Sequence, residues 1–178
     1  MEDRLGWRNT WRYIAGVVGC LVIGAYPFVL GKSVPLLGLV DLGFHELGHL
    51  LTYPLPAVAT ATAGSATQIL VPLGLAGYFF FRGNRDLLAA GLCLAWAGTS
   101  AADVAVYVAD APYEALQLIG GDHDWAFILG RLDLLEASGK IAALIRGGGA
   151  VLVLAGLAAC LAGGLVRPSR DQAVPVIP

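Results

Sequence analysis

Charge, histidine, methionine and cysteine are all scarce in this chain. Of 178 residues only 13% are charged against 57% hydrophobic, and the mean hydropathy is +0.73. A soluble domain carries about a quarter charged residues, so a water-soluble monomer is excluded. The eleven basic residues are scattered through a chain of net charge −2. They form no footprint for a polyanion, which excludes DNA and RNA as partners. Cys20, Cys93 and Cys160 lie far apart with no C-x-x-C and no histidine beside them. That spacing excludes a zinc knuckle and a disulfide framework, leaving the cysteines as small core hydrophobes.

What the chain has instead is long, mostly apolar stretches. A helix needs about 20 mostly apolar residues to cross roughly 30 Å of hydrocarbon. Such stretches fall at residues 13–30, 34–53, 66–81, 87–109 and 147–166. They predict an all-α polytopic membrane bundle of about five transmembrane helices, a single integral membrane domain over residues 1–178. The first stretch follows Arg4, Arg8 and Arg12 and the tryptophans Trp7 and Trp11. That is the flank of a retained, cytoplasm-anchored span, and no small-residue cleavage site follows it as in a signal peptide. Pro54, Pro56 and Pro72 predict a re-entrant piece near 54–68 before the third span, because each proline removes a backbone donor. Residues 111–146 gather the acids and bases of an extramembrane segment, and the proline-bearing end, 167–178, reads as a flexible tail.

One apolar stretch is anomalous. His45-Glu46-Leu47-Gly48-His49 is H-E-x-x-H in a helical context, where i and i+4 share one face and both imidazoles reach one cation. Glu46 beside the pair is placed as general base for a water activated by zinc. Ionisable groups at membrane depth cost about 2.5 kcal/mol or more each, so three on two turns call for a counter-charge, which a cation supplies.

Two histidines do not complete a zinc site. His123 is the sole remaining histidine, in a glycine-flanked turn that folds back to the membrane face. Asp110, Asp103 and Asp124 are the carboxylate alternatives for the third ligand, and Asp124 also has the option of orienting a ligating imidazole. Asp41, one turn before His45, is a candidate to accept its second ring N–H. In the small polar island Gly64-Ser65-Ala66-Thr67-Gln68, Gln68 is the candidate for substrate binding.

The residues Phe44 to His49, Gly64 to Gln68, Tyr107-Val108-Ala109-Asp110-Ala111 and His123-Asp124-Trp125 together resemble the site-2 protease family of intramembrane zinc metalloproteases, in particular small bacterial members without a PDZ domain. The resemblance covers roughly residues 41–135. It implies a zinc cofactor held by His45 and His49, Glu46 as general base, a substrate that is a membrane-embedded protein or peptide, and residence in the inner membrane of a bacterium. The family draws its third ligand from a Leu-Asp-Gly element on a later span, which this chain lacks; Asp103 and Asp110 stand in that region. The alternative expectation is a noncatalytic membrane subunit that keeps the family fold within a larger complex of partner subunits.

Overall fold

The structure, a computed structural model, describes residues 2–82, 85–119 and 122–165, with side chains from residue 11 onward. It is an all-helical bundle of six α-helices: α1 (Glu2–Ala25), α2 (Leu37–Thr52), α3 (Ala57–Phe81), α4 (Leu87–Asp110), α5 (Asp124–Arg131) and α6 (Ser138–Leu165). A π-helical turn, Tyr26–Leu30, extends α1, and a 3₁₀ turn, Leu135–Ala137, leads into α6. The expected tail at 167–178 lies outside the described residues, as do the side chains of Arg4, Trp7 and Arg8.

Among the described residues four helical stretches are long and apolar enough to cross a membrane, Trp11–Leu30, Ala57–Phe81, Leu87–Asp110 and Leu135–Leu165. The expected span at 34–53 is the difference. It forms α2, and 16 residues reach only about 24 Å at 1.5 Å per residue. Leu36, held at φ 63, delays its start, and the turn containing Pro54 and Pro56 ends it.

The expected re-entrant piece is not formed either. Pro54 lies in the turn and Pro56 at the N-cap of α3, where a missing donor costs nothing, and from Ala57 the helix runs unbroken to Phe81 with Pro72 inside it. Within the expected extramembrane segment, 111–146, α6 is already helical from Ser138 and carries Lys140 and Arg146 in its first turns. Arg146 donates to the Pro27 carbonyl and stands 5.3 Å from the Phe28 ring centroid, tying α6 to the π-helical turn.

Helix α4 is the innermost element: 56% of its apolar window is buried, against 22–28% for the other three spanning stretches. It packs on α6, α3 and α1. Its closest partner is α6, where the two backbones touch. A Cβ on Gly149 would lie 2.6 Å from the Gly98 carbonyl oxygen, and one on Gly98 would strike the Gly149 carbonyl. Gly91 and Gly156 repeat the arrangement two turns away. Small residues let helices close on one another where lipid provides no hydrophobic drive between them. Against this frame α3 presents α2, and α5 lies across α3 and α4.

Candidate metal centre

The H-E-x-x-H segment lies in the middle of α2, with His45 buried, His49 half-buried and Glu46 exposed. Helix α2 meets α3 through two glycines. A Cβ on Gly48 would strike the carbonyl of Ala63 and lie 2.6 Å from Thr67 Oγ1; one on Gly64 would lie 2.5 Å from His49 Nε2 and 2.6 Å from His45 Nε2. Residue 64 must therefore be glycine to leave room in front of both imidazoles.

Each imidazole is oriented by its other nitrogen. His45 Nδ1 stands 2.9 Å from Gln68 Oε1, and His49 Nδ1 stands 2.9 Å from the Thr60 carbonyl oxygen. A carbonyl oxygen accepts only, so both Nδ1 atoms donate. Neutral rings then keep a lone pair on each Nε2. The Gln68 amide is itself fixed, since its Nε2 donates to the Ser100 carbonyl at 3.3 Å.

Both Nε2 atoms face the same carboxylate oxygen. Asp124 Oδ2 is 3.1 Å from His45 Nε2 and 3.2 Å from His49 Nε2. The donor atoms of His45, His49 and Asp124 all lie within 4.8 Å of one another, the group among the described residues that a metal ion fits. Two ring nitrogens and a carboxylate oxygen this close call for positive charge among them, which a proton on Nε2 or a metal cation supplies. Zinc bonds of 2.0–2.2 Å in a tetrahedron put neighbouring donors roughly 3.3 Å apart, so the residues present suit that cation. The gap held open by Gly64 gives it access.

The sequence reading gave the third place first to His123; the chain brings its neighbour Asp124 there instead. The reason is local. His123 is the N-cap of α5, and its Nδ1 accepts the Ala126 N–H at 3.2 Å, which turns the ring back over its own helix. Its Nε2 is buried without a hydrogen bond, 3.4 Å from Asp110 Oδ2. Asp110 closes the loop after α4, accepting the N–H groups of Ala115 and Leu116 at 3.2 and 2.9 Å. Asp103 accepts from Ser33 Oγ at 2.8 Å, fastening the link between α1 and α2 to α4. Neither aspartate joins the histidine pair.

Asp41 and Gln68 also differ from expectation in what they touch. Asp41, 3% exposed, accepts from Trp96 Nε1 at 2.7 Å and Ser100 Oγ at 2.8 Å, so it binds α2 to α4 rather than orienting His45. Gln68, expected at a substrate, holds His45. Through Ser100 the two are joined, because the hydroxyl of that residue donates to Asp41 while its carbonyl accepts from Gln68.

Sequence reasoning did not assign roles to Trp96, Ser100 or Thr60, and it took up Ser65 only in the polar island and the family resemblance, and Tyr107 and Trp125 only within that resemblance. Trp125 Nε1 donates to Ser65 Oγ at 3.0 Å and pins α5 to α3. The Tyr107 hydroxyl accepts the Asp124 backbone N–H at 3.0 Å and donates to Asp124 Oδ2 at 3.3 Å. A signal for the α4 group was present: Trp96, Ser100, Asp103 and Tyr107 recur at i, i+4, i+7 and i+11, a polar stripe on one face of an apolar helix.

These residues open on a cavity of about 1590 Å³ lined by His45, Glu46, His49, Tyr107 and Asp124 together with apolar side chains such as Leu50 and Phe127. Among the described residues no side chain hydrogen-bonds or pairs with the Glu46 carboxylate, which stands exposed at this cavity. The volume exceeds the roughly 300–1,000 Å³ usual for small-molecule sites. No protein-family model matches the chain, and neither does any curated protein or solved structure.

Proposed function

We propose that this chain is a zinc-dependent hydrolase of the membrane, a metalloprotease similar to the site-2 family, acting on membrane-embedded peptides in the inner membrane of a bacterium. The observation that carries the reading is the convergence of two Nε2 atoms on one carboxylate oxygen, with each Nδ1 facing a carbonyl oxygen elsewhere. His45, His49 and Asp124 would hold the cation, the two-histidine, one-carboxylate set of catalytic zinc sites. When bound, zinc supplies Lewis acidity and lowers the pKa of water toward neutrality.

The chain's own residues supply the rest. Gln68 and the Thr60 carbonyl keep the imidazoles in the ligating tautomer. Glu46, one residue from His45 and without a side-chain hydrogen bond among the described residues, takes the proton from the attacking water and returns it to the leaving amine. The cavity admits an extended stretch of peptide, and a substrate helix must unwind locally to present its carbonyl there.

The test is metal content together with turnover. Purified chain should hold close to one zinc, His45→Ala should lose it, and Glu46→Gln should keep zinc while losing cleavage of a membrane-embedded peptide. Metal-free protein of intact fold would overturn the reading. Cleavage that survives Glu46→Gln would remove the base. A fixed partner complex whose function is untouched by Glu46→Gln would instead favour the noncatalytic subunit.

A further inference from the structure

We infer that Tyr107 is a positioning residue that sets the Asp124 carboxylate against the histidine pair, a role that rests on the metal reading above. Asp124 arrives from a helix of eight residues that follows a long loop, so its side chain needs fixing from outside its own element. The hydroxyl of Tyr107 does this at two atoms of one residue. It accepts the Asp124 N–H, one of the first-turn donors that α5 cannot satisfy internally, and it spends its single proton on Oδ2. Oδ2 is also the oxygen that both histidines face.

The ring itself is held. The His123 ring lies 4.2 Å away, centroid to centroid, tilted by 32°, and the His45 ring meets it edge-on at 5.9 Å. His123 thereby acts on the site through Tyr107, although its own nitrogens point to Ala126 and Asp110. Tyr107 stands on α4, the most buried helix, so the carboxylate of a peripheral helix is referenced to the frame of the bundle. A charged oxygen that accepts a hydroxyl is confined in direction as well as place, which is what a donor set of three needs.

The experiment compares the full-length chain in detergent with Tyr107→Phe, Asp124→Ala and Ser65→Ala, using Co²⁺ alone as the probe. Affinity is read by competition with a chelator, donor number and geometry by the visible absorption of bound Co²⁺, and fold by thermal unfolding without metal. Tyr107→Phe keeps the ring, removes one tether of α5 and should stay folded, with an unfolding temperature lowered no more than that of Ser65→Ala. It should bind Co²⁺ about 10–100-fold more weakly, the usual result of losing a partner behind a ligand, with an altered spectrum. Ser65→Ala removes the other tether of α5 and should lower the unfolding temperature while leaving the spectrum of the bound ion unchanged. Tyr107→Phe that matches the parent in affinity and spectrum, while Asp124→Ala loses the ion, would overturn the role of Tyr107 and leave the metal site standing. Tyr107→Phe that fails to fold would overturn it too, because only a hydroxyl has been removed. A parent chain that takes up no Co²⁺ would overturn the metal reading itself.

Discussion

Gly64→Ala tests the metal centre without touching any residue proposed to bind or react. One methyl group is added on α3, at a point 2.5 Å from His49 Nε2 and 2.6 Å from His45 Nε2, where ordinary contact begins at 3.4 Å. The overlap approaches 1 Å with two rings at once. Neither ring yields freely, since His45 is tied to Gln68 and His49 to the Thr60 carbonyl. Helix α3 cannot simply withdraw, because Gly48 holds α2 against Ala63 and Thr67 just beside the site. Overpacking of this kind costs about 1–3 kcal/mol, and if that falls on the ligating geometry it weakens the metal roughly 5–150-fold. The control is Gly74→Ala on the same helix, where a Cβ meets nothing within 4 Å. Both variants gain the same helix propensity, so the difference between them isolates the contact with the histidines. The assay is zinc titration against a chelator on purified protein in detergent, with thermal unfolding alongside. Gly64→Ala binding zinc as tightly as Gly74→Ala would refute the reasoning, for it would mean that the space in front of the two Nε2 atoms is not used.

Gln68→Leu, which keeps volume but removes the acceptor at His45 Nδ1, should weaken zinc binding about 10–100-fold by equilibrium titration. Asp124→Ala should lower metal content far more than His123→Ala, measured as metal per chain, whereas His123→Ala should chiefly loosen α5, seen as faster amide exchange over residues 124–131. Asp41→Ala leaves the Trp96 N–H and the Ser100 hydroxyl without their acceptor and should destabilise the fold by about 1–3 kcal/mol, read from reversible unfolding, with zinc retained at saturating concentration.

The parts of this molecule that were legible in its sequence are those set by near neighbours along the chain. The helical bundle follows from mostly apolar runs of known length, and the histidine pair follows from a spacing of four on one helix. Both are local properties of a 3.6-residue period. The residue that joins the pair, Asp124, was legible only as one of four candidates, because the choice among them depends on how a turn at residue 123 is capped. Had the His123 side chain not accepted the Ala126 N–H, the ring and not its neighbour would be free to face α2. The prolines misled for a related reason. Pro54 and Pro56 were read as opening a re-entrant piece near 54–68, whereas they form a short turn between two helices, and Pro72 inside α3 is carried by a helix held between neighbours. Asp41 was placed on the correct face of α2 by its spacing from His45, yet its partners Trp96 and Ser100 lie more than fifty residues on, beyond any local pattern.

The separation of 79 positions from His45 to Asp124 also sets a clock. A ribosome adding about 5–20 residues per second delivers the histidine helix to the membrane roughly 4–16 s before the carboxylate that completes it. During that interval α3 and α4 are still being made, and with them Gln68, Ser100 and Tyr107. On the proposed function, a chain so divided is born inert among other nascent membrane chains, and it arms itself only after its own central helix is in place.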